Sequence, residues 1–204
     1  MDSPPNPSFE VDADKIGWIT FDDPSRSLNV LTEPVMRRFG QALDEARAAG
    51  REGRISVLVV RSCKADSFIA GADIDAIAAL DDATEAEAKI RLGQAVFNDL
   101  ASLPIPSVAA VHGVCVGGGL ELALACTHRV LSDSKKTSLQ FPEVMLGILP
   151  AWGGTTRLPR LIGLQASLDI LLTGRKTDAQ KAKRMGLATE VVPEALFAAK
   201  VRDF

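Results

Sequence analysis

The chain has 204 residues, enough for one sizeable core, and 47% hydrophobic with 24% charged residues is an ordinary soluble composition. A net charge of -3 argues against a dedicated nucleic-acid binder, and no charged segment followed by an apolar stretch opens the chain as a secretory signal would. Cys63, Cys115 and Cys126 lack metal-ligand spacing, so they read as buried reduced thiols of a cytoplasmic-type compartment, with no metal site expected.

Residues 1–8 have the composition of a disordered leader, and one domain is expected over 9–204. Ile16–Phe21 alternates as a strand that Asp22-Asp23-Pro24 ends. A loop through Leu28 and Asn29 leads to Thr32, a plausible N-cap, with Pro34 in the first turn. Val35, Met36, Phe39, Ala42, Leu43 and Ala46 then recur at helical spacing, and the helix should end near Gly50. Ile55–Val60 reads as a buried strand. Ser67–Ile74 is a turn of small residues, with Asp73 placed to cap the helix beginning there. A helix over about Thr84–Leu103 and a strand at Ser107–Val111 follow.

The stretch Val111–Cys126 is the chain's most unusual feature. Gly117, Gly118 and Gly119 permit positive φ and a close approach by a ligand. The helix that starts there aims unpaired N–H groups outward. Glu121 opens this otherwise apolar helix, and burial without a cationic neighbour would raise its pKa, as proton transfer requires. A phosphate loop would end in Gly-Lys-Ser/Thr and a dinucleotide loop would read G-x-G-x-x-G; neither is present. The plainer alternative is a tight turn with a charge favoured by the helix dipole. The uncharged run Leu100–Leu120 is long enough to span a bilayer, but Pro104, Pro106, His112 and four glycines make it core.

Farther on, Arg129-Val130-Leu131 reads as a short strand and Ser132–Thr137 as a solvated loop. Pro142-Glu143 brings a second carboxylate into an apolar setting. A glycine-started helix spans Gly153–Arg160, and helices are expected around Gln165–Leu172, Asp178–Met185 and from Ala195 onward. His112 and His128 have no nucleophile partner in a recognisable motif and read as structural. No sequence repeat is visible, although strand, strand, helix recurs loosely.

The order of these pieces is specific. Phe68–Ile74, His112-Gly113 leading into Gly117–Ala123, Pro142-Glu143 with Leu146-Gly147 and Pro150, then Gly153-Gly154-Thr155, together resemble the enoyl-CoA hydratase/isomerase (crotonase) family over about Val11–Pro193. Cys126–Gly163 looks most like the hydratase domain of multifunctional fatty-acid-oxidation α-subunits. The resemblance implies an α/β fold, a crotonase-like spiral of ββα units, with C-terminal helices cut short at Phe204.

It also implies roles. Glu121 and Glu143 match the catalytic glutamates, Glu121 orienting and activating water and Glu143 exchanging a proton at Cα. The N–H groups of Ala72 and Gly118 would form the oxyanion hole of a thioester, and a side chain on Gly118 would block the carbonyl's approach. Leu28, Ala70, Gly71, Asp73, Ile74 and Gly117 would contact the acyl-CoA. Coenzyme A is then part of the substrate and no separate cofactor is expected. Implied partners are further copies of the chain, as a trimer or dimer of trimers, and a linked 3-hydroxyacyl-CoA dehydrogenase; neither membrane nor nucleic acid is expected. Rival readings are a Δ3,Δ2-enoyl-CoA isomerase and an RNA-binding or purely structural homologue using Arg175–Arg184. Two departures stand out: Ala151-Trp152 replaces two small residues, which should narrow the acyl pocket, and Asp75 replaces a basic residue of some relatives.

Overall fold

Alternation along the first long strand decides how the molecule is layered. In β2 (Ile16–Phe21), Ile19 and Phe21 are buried in one core while Ile16 and Trp18 pack in another on the opposite face, as the two-residue side-chain period requires. The structure is a computed structural model that describes residues 6–204. Residues 1–5 of the expected leader lie outside the described residues, and Ser8 already belongs to β1 (Ser8–Val11), which pairs antiparallel with β2.

The larger sheet continues from β2 through β3 (Val57–Ser62), β5 (Ser107–Val111), β7 (His128–Ser132) and β10 (Glu190–Val192), all parallel. A smaller sheet joins β4 (Ser67–Ile69), β6 (Val114–Val116), β8 (Ser138–Gln140) and β9 (Thr177–Asp178). Successive strands therefore alternate between the sheets: β3 then β4, β5 then β6, β7 then β8. Each pair is followed by helical chain: α2 (Ile74–Ala78) and α3 (Ala83–Ala101), then α4 (Gly118–Ala125), then a 3-10 turn (Glu143–Leu146) and α5 (Gly154–Ile162). The loose recurrence in the sequence is thus a real one, and the fold is the expected α/β spiral of ββα units.

Helix α1 (Glu33–Arg51) starts where its cap predicts, with the Thr32 hydroxyl accepting from the Val35 N–H. Its apolar face packs on the sheet and on α3, with Phe39 edge-on to both Phe21 and Phe97. The chain continues through α6 (Leu164–Thr173), α7 (Ala179–Arg184) and α8 (Phe197–Asp203). Val201 and Phe197 of α8 join Trp18 and Val130 on the sheet's second face.

Among the remaining expectations, the one for Cys63 changes. The uncharged Leu100–Leu120 run divides into the end of α3, two strands and the start of α4, and no helix of the described residues is long and apolar enough to cross a membrane. Cys115 and Cys126 are buried free thiols, but Cys63 is exposed because it lies just beyond the end of β3. The histidines pack structurally, His112 edge-on to Phe197 and His128 edge-on to Phe204.

Candidate active site

Two turns from the smaller sheet build one wall. Beyond β6, Gly117 takes φ +52 and ψ -126, a conformation that L side chains rarely adopt. That turn makes Gly118 the first residue of α4, where its N–H has no intrahelical acceptor. Gly119 has a different reason to be bare: a Cβ there would lie 2.4 Å from the Ile69 carbonyl oxygen, so α4 sits directly against the end of β4.

The β4 exit is fixed from the other side. The Leu31 N–H donates to Gly71 O at 2.8 Å and the Ala70 N–H to Asn29 O at 2.9 Å. Buried Asn29 donates in turn to the carbonyls of Phe21 and Phe68 and to the Ser62 hydroxyl. A Cβ on Gly71 would come within 3.1 Å of Val116 O and 3.6 Å of Gly118 N, so the two turns adjoin. Among the described residues, neither the Ala72 nor the Gly118 N–H donates to another protein group.

Glu121 lies one turn into α4 and is only 2% exposed. Its Oε1 accepts the N–H groups of Trp152 and Gly154, both at 2.8 Å. Burial pushes its carboxyl up to about 7; the Gly154 N–H opposes the shift, the Glu143 charge adds to it, and the Trp152 N–H and Arg157 oppose it. A cationic neighbour is present, Arg157, 36 positions along the chain, yet desolvation prevails and the pKa is raised as burial alone would raise it.

Glu143 opens the 3-10 turn at 8% exposure, and burial raises its pKa as well. Its Oε2 is buried with no hydrogen-bond partner among the described residues. Oε1 lies so near Gly117 that a Cβ there would sit 2.9 Å away. One carboxyl is thus held by two backbone donors, while the other keeps a buried oxygen without a partner.

Both carboxyls, both N–H bearing residues Ala72 and Gly118, and Ala70, Gly71, Asp73, Ile74 and Gly117 line a single cavity of 580 Å³. Leu28 and Asp75 do not line it; both are exposed. Asp73 caps α2 and pairs with Arg26 at the rim. Trp152 is part of the wall, its ring edge-on to Phe97 at 5.6 Å. A Cβ on Gly118 would strike that indole at 2.6 Å, so the glycine is required by Trp152 and not only by an approaching ligand. No local sequence pattern marks the backbone donors of Trp152 and Gly154 or the loop anchor Asn29; the adjacent Gly153-Gly154 pair is the one visible signal. Among the described residues no group of three His, Cys, Asp or Glu is placed to hold a metal ion.

A spiral of ββα units, with two buried glutamates and two unpaired backbone N–H groups on residues lining one cavity, defines a class. Residues 12–204 match the family model described as enoyl-CoA hydratase/isomerase, and the chain belongs to that family. It is 46% identical over 193 residues to a fatty acid oxidation complex subunit alpha from Vibrio campbellii, covering 93% of this chain and 26% of that protein. Its identity to the subunit of the same name from Shewanella amazonensis is 49% over 183 residues, covering 90% of this chain and 26% of the other. The chain thus spans about a quarter of the length of these curated relatives. The crystal structure of an enoyl-CoA hydratase from Bacillus anthracis superposes with a TM-score of 0.86 at 31% identity, covering 96% of this chain and 74% of that one.

Proposed function

We propose that the chain hydrates enoyl-CoA thioesters, adding water across the 2,3 double bond in fatty-acid β-oxidation. The observation that carries this reading is the pair of buried carboxyls, each with raised proton affinity, on the wall that also presents the Ala72 and Gly118 N–H groups.

In this mechanism the two N–H groups hold the thioester oxygen. Glu121 takes a proton from water, the water oxygen bonds to Cβ, and the π electrons move onto the thioester oxygen as an enolate. Glu143 gives its proton to Cα as the enolate collapses. Glu121 ends protonated and Glu143 ionised, and a proton returned between them completes the cycle. Fixed backbone donors stabilise the enolate without reorganising, and losing one typically costs on the order of 10²–10³ in rate.

Coenzyme A enters as part of the substrate, so the reaction needs no separate cofactor. A cytoplasmic setting and a linked 3-hydroxyacyl-CoA dehydrogenase that would oxidise the product are part of the proposal, and the relatives' name, fatty acid oxidation complex subunit alpha, supports its place in fatty acid oxidation. Self-assembly as a trimer or dimer of trimers is part of the proposal, supported by apolar side chains left exposed on α6.

The second reading is Δ3,Δ2-enoyl-CoA isomerisation. It needs one proton-shuttling carboxylate, and Glu143, with an unengaged buried oxygen, suits that role. Crotonyl-CoA absorbance tests the first reading: hydration bleaches the conjugated enoyl band, and a folded chain that leaves the band unchanged refutes it.

A further inference from the structure

The turn that holds Glu121 is itself held. Gly153 takes φ +115, and a Cβ on it would lie 2.0 Å from Nη1 of Arg157. The bare Cα lets the guanidinium fold back over the turn. Nη1 donates to the Trp152 carbonyl at 2.9 Å, and Nη2 donates to Asn98 Oδ1 at 2.6 Å. Asn98 belongs to α3, and one helical turn earlier Gln94 Nε2 donates to the Ala151 carbonyl at 2.8 Å. The Ala151–Gly154 turn is therefore tied to α3 by two side chains of that helix, one directly and one through Arg157. From the same turn the Trp152 and Gly154 N–H groups reach Glu121 Oε1.

We infer that Arg157 is a positioning residue for Glu121: by fixing the Trp152 carbonyl it keeps both N–H groups turned inward and the carboxylate in one orientation. Arg157 does not line the cavity, so it acts through the turn and not on the substrate. The inference deepens the hydratase reading and rests on it for the role of Glu121. The sequence logic is compact: Gly153 makes room, Gly154 donates, and Arg157 closes the clamp one helical turn later.

The charges around this pair set the direction of its effect. Glu121 is faced by Glu143 from the 3-10 turn and by Arg157 from α5; Arg157 is faced by Glu121 and by Arg160 on its own helix. Glu33, Asp73 and Lys89 stand elsewhere on the cavity wall, and Arg129 binds carbonyls near the far end of α4. The two N–H groups and the Arg157 charge favour ionised Glu121, against burial and Glu143. Loosening the clamp therefore makes the carboxyl harder to ionise.

The test compares wild type with Arg157→Gln and Arg157→Lys. The Glu121 carboxyl is followed by ¹³C NMR, its resonance assigned by its loss in Glu121→Gln, and crotonyl-CoA hydration is measured in parallel. In Arg157→Gln the titration midpoint should move to higher pH and kcat at neutral pH should fall about tenfold, with KM changed less than about twofold. Arg157→Lys should fall between, because an ammonium keeps the charge but not the planar fork that serves two acceptors. An unmoved midpoint in folded Arg157→Gln overturns the inference. If Arg157→Gln fails to fold, Asn98→Ala removes the clamp's outer anchor and should shift the midpoint in the same direction; no shift there overturns it equally. A moved midpoint in a chain whose wild type does not hydrate crotonyl-CoA sinks the hydratase reading and leaves the clamp standing.

Discussion

The indole of Trp152 lies against Gly118, near enough that a Cβ on the glycine would sit 2.6 Å from Cζ3 and 2.9 Å from Cε3. The φ of Gly118 is not positive, so space and not backbone conformation excludes a side chain there. The same indole lies across Gly93 of α3, where a Cβ would meet it at 2.3 Å. Trp152 is thus slotted between two glycines, and it fills cavity space that a smaller residue would leave open.

Gly118→Ala should therefore destabilise the fold by overpacking, by about 1–3 kcal/mol, and, on the proposed function, lower turnover by displacing the N–H assigned to the thioester oxygen. Adding Trp152→Ala should relieve part of that cost, so a double-mutant cycle read by urea unfolding should show coupling between the two sites. Trp152→Ala alone should raise kcat/KM for longer enoyl chains relative to crotonyl-CoA. Additive unfolding energies would show that the two residues do not share the space as described.

The two glutamates should separate under substitution. Glu121→Gln and Glu143→Gln should each lower hydration by about 10²–10⁴-fold, since each removes a proton-transfer role. Isomerisation of a 3-enoyl-CoA should survive Glu121→Gln and be lost in Glu143→Gln. Near-normal hydration by either variant, folded by circular dichroism, would overturn the assignment of roles.

Much of this arrangement was legible in the sequence where an element is long enough to show its period. β2, β5 and α1 emerge with boundaries close to those observed, because alternation in β2, a nearly unbroken apolar run in β5 and helical spacing in α1 extend through five residues or more. β6, β8 and β10 have three residues each, and pairing with distant strands is what makes them strands. In the site, the glycines and both glutamates were visible through the order of the motifs. The contacts of Glu121 were not, because Trp152 and Gly154 lie 31 and 33 positions away and no local pattern encodes that meeting. The reason for Gly118 was only partly legible, since the bulk that excludes a side chain comes from Trp152 on another element.

The raised proton affinity of Glu121 should appear in stability. Its carboxyl titrates near 4.5 when unfolded and about 7 when folded, so between those values the native state binds more protons than the unfolded chain. Stability must then fall as pH rises through that window, with the loss complete above about pH 7. The cost is on the order of 2–4 kcal/mol. Glu121→Gln cannot ionise, so its unfolding midpoint should exceed that of wild type by a margin that grows from pH 5 to pH 8. Glu143 acts in the same direction and leaves some slope in the variant. A margin independent of pH would contradict the burial argument.

The outer surface of α6 gives the last prediction. Leu164, Leu168 and Leu172 are spaced four apart, so they form one stripe along the helix, and they are 65%, 42% and 62% exposed. Nearby, the 3-10 turn that packs against α6 leaves Met145 and Leu146 exposed as well. Contiguous apolar surface beyond a few hundred square ångströms or so is uncommon on a monomer and marks a contact face. The chain should therefore self-associate, and Leu168→Glu should weaken that association by placing a charge in the middle of the stripe. Leu168 does not line the cavity, so hydration per folded chain should persist in the variant except where assembly itself supports the site. Light scattering across a concentration series decides the point: a wild-type chain that stays monomeric at high concentration would show that the stripe is not an assembly face.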